Sequence, residues 1–283
     1  MKLMKHQIID FLKSVLNEDL GRGDLARELL KGHNSAKVIA KSDGIVAGLE
    51  YIKYFSELAD VKFSFFFEDG SEYKRGDVIF EIYGDVKDLL SIERSMLNIL
   101  QHASGIASNA YEFVKIASDE IKILDTRKTR PGLRVFEKYA AKCGGITNHR
   151  LGLDDALMLK DTHLANFTSI TEALHIAREA IPFTTKIEVE CESVEMAIEA
   201  MEAGADIVMC DNMGFDEIKK VVDIRNKNYP HVFLEASGNV TLKNIKEYIK
   251  TGIDAISSGA IIHQATFKDF SMKMKGGSHN NKR

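Results

Sequence analysis

Short, nearly all-apolar runs recur through the second half of the chain, and amphipathic segments separate most of them. Buried strands of a parallel sheet have this apolar character, and their alternation with helices predicts a barrel or near-barrel of β/α units. Gly204 and Gly252 each follow the last apolar position of an amphipathic segment, which predicts helix ends there. The six predicted strands are IKILD, ALMLKD, KIEVE, ADIVMCD, HVFLEAS and DAISSG, and the predicted helices are 169–180, 193–204, 214–226 and 241–252.

The first half of the chain has a different pattern. Residues 1–30 predict a helix with a glycine-broken end, and its apolar side carries Ile8, Phe11, Leu12, Val15 and Leu16. From 36 to 84, β-prone runs are bounded by Asp-Gly and Arg-Gly-Asp turns, and 85–118 is again helical. Carrier modules of the lipoyl type also have glycine-punctuated β-structure, but nothing around the turn residue Lys74 marks a modification site. We therefore expect a structural α/β domain.

The composition is that of an ordinary globular protein, with 45% hydrophobic and 28% charged residues and a net charge of −4. We expect neither a membrane helix nor a signal peptide, because apolar runs are short and charges recur in the first residues. Cys143, Cys191 and Cys210 are far apart and form no CxxC pair, so we expect no disulfide framework or zinc site, and a cytoplasmic location. The overall charge and the absence of Trp argue against a nucleic-acid partner.

Positive charge is concentrated in residues 125–150, which carry seven Lys/Arg and His149 against two acidic residues. Such a run either solvates one face of a helix or binds a multiply anionic ligand. The run follows the strand IKIL and is broken by two pairs, Pro131–Gly132 and Gly144–Gly145, so its ends are predicted loops. We expect a site at its two ends, 126–128 and 149–150, and a solvated helix face in the middle, from Arg134 to Lys142.

Polar residues end every predicted strand, and active sites of β/α barrels lie at that rim. The loops EASGN (235–239) and SSGA (257–260) suit phosphate, since small residues allow close approach of backbone N–H groups. Glu190 and Asp211 form a carboxylate pair that can bind sugar hydroxyls or Mg²⁺ or act as acid and base. Hydrolysis is disfavoured, because the neighbouring cations would depress both carboxyl pKa values. Transfer from a phosphorylated sugar to a carboxylated co-substrate fits the set better.

Several motifs together resemble the quinolinate phosphoribosyltransferase family along nearly the full chain, with residues 125–164 the most specific part. They are NEDLGRGDL (17–25), ERSMLN (93–98), DTRKTRPGLR (125–134), EKYAAKCGGITNHRLGLDDALMLKDTHL (137–164), IEVE (187–190), GADIVMCDN (204–212), EASGN and GIDAISSGA (252–260). The resemblance implies an α/β fold with an N-terminal α/β sandwich-like domain, 1–112, and an incomplete parallel β/α barrel, 113–265. It also implies that 266–283 packs back on the first domain.

The implied enzyme is a glycosyltransferase that converts quinolinate and phosphoribosyl pyrophosphate to nicotinate mononucleotide, pyrophosphate and CO₂ in NAD biosynthesis. The resemblance also implies a homodimer or a dimer-based higher oligomer, in which Arg94 reaches the active site of the partner subunit. On spacing alone, Arg94 is equally well explained by pairing with Glu93 or Asp88. Mg²⁺ would accompany the pyrophosphate near Glu190 and Asp211.

The roles that this resemblance implies fall into three groups. Quinolinate is held by Arg127, His149, Arg150 and Lys160 beside Thr126 and Lys128. The ribose is held by Glu190 and Asp211. The 5′-phosphate is held by Ser237, Gly238, Asn239, Ser258, Gly259 and Ala260. Lys128, Lys160, Glu190 and Asp211 are the implied catalytic residues. Two positions depart from the family pattern: Asn239 stands where a second glycine is frequent, and Thr162 where Asn is common. Arg130 is more basic than the usual residue. The alternative is a sister phosphoribosyltransferase for nicotinate or for the acid of molybdenum-operon proteins.

Overall fold

The computed structural model describes residues 3–118 and 120–276. The described residues form two compact units, one within residues 1–109, 139–144 and 265–283, and the other within residues 110–138 and 145–264. The helices are α1 Lys5–Leu20, α2 Leu49–Ile52, α3 Val86–Ala117, α4 Arg134–Cys143, α5 Asp161–Leu164, α6 Ile170–Ala180, α7 Val194–Glu202, α8 Phe215–Asn228, α9 Ile245–Ile249 and α10 Ala260–His263. The strands are β1 His33–Ala40, β2 Gly44–Ile45, β3 Val61–Phe65, β4 Glu72–Tyr73, β5 Val78–Asp85, β6 Lys122–Leu124, β7 Leu157–Leu159, β8 Ile187–Cys191, β9 Ile207–Asp211, β10 Phe233–Ser237, β11 Ala255–Ser257 and β12 Phe270–Met274.

The first unit is built on a four-stranded antiparallel sheet in the order β12-β1-β5-β3. Along β1 the buried residues alternate, Ala36, Val38 and Ala40, because successive side chains of a strand point to opposite faces. The strand β12 comes from the end of the described chain and pairs with β1. Residues 277–283 of the segment predicted to pack back lie outside the described residues. In α1, Ile8 and Leu12 are buried one helical turn apart, and the helix ends before Gly21 rather than continuing towards residue 30.

The second unit confirms the predicted succession of strands and helices. Its six strands form one parallel sheet in the order β6-β11-β10-β9-β8-β7. Ser169 and Ser193 begin α6 and α7 by accepting the peptide N–H groups of Glu172 and Met196, which are otherwise unpaired at a helix start. Within the described residues, no helix combines the length and apolar character needed to cross a membrane.

The prediction of a solvated helix face from Arg134 to Lys142 is wrong for its central residues. Glu137 and Lys138 on α4 are fully buried, whereas Lys142 is exposed. Glu137 binds the Arg130 guanidinium at 2.6 Å and the Arg130 peptide N–H at 2.8 Å, which gives Arg130 a structural role. The charges of Glu137 and Lys138 do not face solvent, because each is neutralised by a partner outside the helix, Arg130 and Asp125 respectively.

The pairing of Arg94 with Asp88 that spacing left open is not observed. Asp88 is bound to Arg27 at 2.8 Å, and Arg94 lies exposed on α3.

Candidate active site

A cavity of about 520 Å³ opens where the strands of the second unit end. Its lining comes from six strand ends or the loops beside them, and is polar except for Met158 and Met209, which are almost fully buried. The lining residues are Thr126, Arg127, Lys128, His149, Arg150, Met158, Lys160, Glu190, Met209, Asp211, Ser237 and Ser257. The carboxyl ends of parallel strands meet at one edge of a sheet, and this is why residues far apart in sequence gather here.

A second cavity, of about 290 Å³, shares Thr126, Lys128, Ser237 and Ser257 with the first. Its lining adds the small loops after β10 and β11 together with His263 and Gln264. Among the predicted site residues, all of which are described, only Arg94 lines neither cavity. The structure therefore brings the other predicted residues into one pair of adjoining cavities.

The larger cavity contains both signs of charge. Lys160 forms an ion pair with the Glu190 carboxylate, and both side chains are partly exposed. Burial lowers the pKa of the Arg150 guanidinium, and the nearby charge of Arg127 lowers it further, while Glu188 and Glu190 oppose the shift. Two neighbouring guanidinium groups that repel each other are a suitable pair of donors for an anion of more than one charge. Arg150 is oriented by donating from Nη1 to the Ala156 carbonyl at 2.9 Å.

A buried ion pair holds the loop that carries His149 and Arg150. Asp125 and Lys138 are both inaccessible to solvent, and their side chains meet at 2.5 Å. The Asp125 carboxylate also accepts the Asn148 amide at 2.7 Å and the His149 peptide N–H at 2.8 Å, and Lys138 donates to the His149 carbonyl at 2.8 Å. Burial raises the pKa of Asp125 although these donors oppose it, and burial lowers the pKa of Lys138. The pair therefore fixes the main chain of the loop from within the protein.

The imidazole of His149 lies between two carboxylates that the sequence interpretation did not single out. Its Nε2 is 3.1 Å from Glu188 and 3.3 Å from Glu235. Burial alone would lower the pKa of His149, but the hydrogen bonds to Glu188 and Glu235 outweigh it and raise the pKa to about 10. Burial raises the pKa of the Glu188 carboxyl. Since strand side chains alternate, Glu188 and Glu190 share one face of β8, so the motif IEVE contained the signal that places Glu188 inside the barrel.

The small loops after β10 and β11 are shaped by their backbone. Gly238 has φ of 89°, and a Cβ there would lie 2.2 Å from the side-chain oxygen of Asn212. Asn239 has φ of 51°, a conformation that asparagine tolerates better than most residues, and its amide donates to Asn212 at 3.2 Å. The Asn212 amide in turn donates to Asp211 at 2.7 Å. Asn212, which the sequence analysis did not select, thus joins the carboxylate of β9 to the loop after β10.

Comparison with known proteins identifies the family. The sequence model described as "Quinolinate phosphoribosyl transferase, C-terminal domain" matches residues 106–273, and the corresponding N-terminal domain matches residues 24–104. The chain belongs to the quinolinate phosphoribosyltransferase family.

Relatives of this chain include proteins named nicotinate-nucleotide pyrophosphorylase [carboxylating]. The Bacillus subtilis protein, named a probable one, is 43% identical over 270 residues, which are 92% of each chain. The human protein is 37% identical over 246 residues, 86% of this chain and 83% of its own. The solved structure of NadC from Streptococcus pyogenes has a TM-score of 0.90 at 40% identity and covers 97% of this chain and 99% of that one. These matches confirm the predicted family and the predicted α/β fold.

Proposed function

We propose that this protein transfers the phosphoribosyl group of phosphoribosyl pyrophosphate to quinolinate and removes one carboxylate as CO₂, giving nicotinate mononucleotide. The observation that carries the proposal is the placement of Arg127, Arg150 and Lys160 in the cavity that also contains Glu190 and Asp211. This arrangement provides cations for a diacid beside carboxylates for a sugar. Family membership and the names of the relatives support the same activity.

The acid would bind in the larger cavity. The Nε atoms of Arg127 and Arg150 are buried and have no hydrogen-bond partner within the described structure, so an anion at this point would satisfy them. A dianion also relieves the repulsion between the two guanidinium groups, which a neutral ligand cannot do. Met158 and Met209 offer an apolar, polarizable surface for the flat face of an aromatic ring. Thr126 and Lys128 complete the lining beside the acid.

The phosphorylated sugar would bind across both cavities. Glu190 and Asp211 would accept hydrogen bonds from ribose hydroxyls, and the loops after β10 and β11, which line the smaller cavity, would present peptide N–H groups to the 5′-phosphate. Ser258 donates its hydroxyl to the Val240 carbonyl at 2.9 Å and its peptide N–H to the Leu124 carbonyl at 3.1 Å, so its role is to hold the loop rather than to donate to the phosphate. Gly259 leaves room for the Lys128 side chain, which a Cβ would approach to 2.9 Å.

Charge explains how these residues accelerate the transfer. The pyridine nitrogen forms a bond to C1 of the ribose while the bond to pyrophosphate breaks, and positive charge develops on the sugar. Glu190 and Asp211 stabilise that charge, and Lys128 and Lys160 stabilise the departing anion. When the adjacent carboxylate departs as CO₂, the electron pair of the broken bond stays on the ring carbon, where the positively charged ring nitrogen stabilises it, and that carbon then takes a proton from water. The protein orients and partly desolvates this carboxylate.

Mg²⁺ fits the oxygen donors of this site. The side chains of Glu190 and Asp211 end in the cavity, and carboxylate oxygens are the ligands that this hard cation prefers. Glu190 and Asp211 would hold the ion together with the pyrophosphate, whose charge it would neutralise. We further propose a homodimer in which Arg94, exposed on α3, contributes to the site of the partner.

Turnover with a choice of acids tests the proposal. The protein is incubated with Mg²⁺, phosphoribosyl pyrophosphate and either quinolinate or nicotinate, and mononucleotide and CO₂ are followed. We expect product and stoichiometric CO₂ from quinolinate only, because nicotinate has one carboxylate for the paired cations. Heat-treated protein is the control for uncatalysed reaction. Turnover of nicotinate with none of quinolinate would replace this proposal by the sister activity.

A further inference from the structure

The His149 cluster, which consists of His149, Glu188 and Glu235, extends from the cavity into the interior of the barrel. His149 lines the cavity, but Glu188 and Glu235 do not, and each of these two is only 2% exposed. Glu188 lies on β8 and Glu235 on β10, so the imidazole joins two strands that β9 separates in the sheet. A pair of buried carboxylates is costly unless each is bound, and Nε2 of His149 is the donor that both of them approach.

Both ring nitrogens of His149 are engaged by the protein. Nε2 faces the two carboxylates, and Nδ1 accepts the peptide N–H of Arg150 at 2.7 Å. A nitrogen that accepts an N–H carries no proton, so this contact places the ring proton on Nε2. The two carboxylates that raise the pKa of His149 face this same nitrogen, so they favour a proton on Nε2 rather than on Nδ1.

A divalent cation is another way to bind these three groups, whose ligand atoms lie within 4.8 Å of one another. The Arg150 contact argues against it. An ion at Nε2 would have to replace the only ring proton and leave an imidazole with no proton while it still accepts at Nδ1. The hydrogen-bonded cluster needs no such ionisation.

We propose that Glu188 and Glu235 are positioning residues of the acid-binding half of the site, and that they act through His149 by holding its ring against the backbone of Arg150. This inference rests on the proposed function, because the acid in question is quinolinate. His149 would then limit the space open to quinolinate and fix the position of the Arg150 backbone, while Arg127, Arg150 and Lys160 bind the carboxylates of quinolinate.

The cluster and the buried ion pair hold the same short loop from two sides. Lys138 and Asp125 bind the main chain of His149, whereas Glu188 and Glu235 bind its ring. If the carboxylate of Glu188 or Glu235 is removed, the His149 ring loses one partner while the main chain of His149 stays bound. The Arg150 guanidinium can then move relative to the bound quinolinate. Catalytic geometry tolerates little such movement, since displacements near 1 Å cost about 100-fold in rate. His149 is not among the residues that line the smaller cavity, where the loops after β10 and β11 lie, so binding of the sugar 5′-phosphate should be spared.

Two substitutions at one position separate positioning from charge. Glu188→Gln keeps an oxygen that accepts the Nε2–H, whereas Glu188→Ala removes the acceptor; Glu192→Ala changes an exposed carboxylate that follows the same strand. We expect the alanine variant to raise KM for quinolinate on the order of tenfold, as loss of one hydrogen bond to a buried group does. KM for phosphoribosyl pyrophosphate should stay within about twofold, and Glu188→Gln should recover most of the affinity. Glu192→Ala should match the wild type.

A double-mutant cycle tests whether Glu188 acts through His149. In a His149→Ala background, Glu188→Gln and Glu188→Ala should have no further effect on KM for quinolinate, because the ring that they position is gone. Equal and additive losses in both backgrounds, or a folded Glu188→Ala variant with unchanged KM for quinolinate, would overturn the proposal. Parallel rises in both KM values with a lowered melting temperature would also overturn it, since they indicate general disruption. Wild-type protein that forms no product from quinolinate would refute the proposed function instead.

Discussion

Substitution of Lys138 by Met measures how much the buried Asp125–Lys138 ion pair contributes to the stability of the protein. Lys138 and Asp125 are inaccessible to solvent and meet at 2.5 Å, so the methionine leaves an unpaired carboxylate in the interior. Removing one partner of a buried pair costs roughly 3–5 kcal/mol of unfolding free energy. Two of the donors to Asp125 remain, from Asn148 and from the His149 backbone, so we expect the lower end of that range. At about 2–4 °C per kcal/mol, the melting temperature should fall by roughly 6–12 °C.

The assay is thermal unfolding by calorimetry of the wild type, Lys138→Met and the control Lys142→Met, whose lysine is exposed on the same helix. The control should change the unfolding free energy by no more than about 0.5 kcal/mol. The double variant Lys138→Met with Asp125→Asn should recover stability, because no lone charge is then buried.

The pH dependence of this variant has a defined sign. Burial already raises the pKa of Asp125 in the native protein, and loss of the Lys138 charge raises it further. The folded variant then binds a proton more tightly than the unfolded chain does, so its stability increases as pH falls, and its deficit against the wild type should shrink. Equal melting temperatures for the Lys138 and Lys142 variants would refute the reasoning.

Two further predictions concern the phosphate loop and the dimer. Gly238→Ala should raise KM for phosphoribosyl pyrophosphate about tenfold or more, because the alanine Cβ would collide with Asn212 and residue 238 has a positive φ. The control Asn239→Gly relieves strain rather than adding it, so this KM should change little. The reverse ranking of the two variants would contradict the loop geometry. Mixing Arg94→Ala with Lys160→Ala chains should restore about a quarter of wild-type activity, since half of randomly formed dimers are hybrids with one intact site; no recovery would refute a role across the interface.

The sequence predicted the second unit well because its strands are buried on both faces. Such strands are continuous apolar runs, so they are recognised without any periodic pattern. The polar residue at the end of each run lies at the carboxyl edge of the sheet, and the prediction that Lys160, Glu190 and Asp211 share one cavity is therefore correct. The resemblance to a known family then separated the roles that spacing had left open. Those roles stay predictions where no contact with a ligand is observed.

Buried charge is what the sequence interpretation missed. A helical stripe with Glu137 and Lys138 has the composition of a solvated face, and nothing local indicates that Asp125 lies opposite one of them. Glu188 and Glu235 were missed for a related reason, since each lies inside an apolar run, two residues before the polar residue that ends its strand. Only the three-dimensional pairing of distant segments reveals which charges are neutralised inside the protein.

The order of strands in the parallel sheet has a consequence for biosynthesis. The strand β6 is the first of the six to leave the ribosome, but its partner in the sheet is β11, the last. Lys128 follows one of these strands and Gly259 the other, so the wall they share is completed only after almost the whole second unit has been translated. Pairing of two strands that lie far apart in the sequence is slow, and the apolar edges of the strands stay exposed until the pairing is complete. The unpaired edge of β6 is therefore exposed during the synthesis of residues up to β11, and a fragment that ends at β10 lacks the loop that lines one side of the smaller cavity.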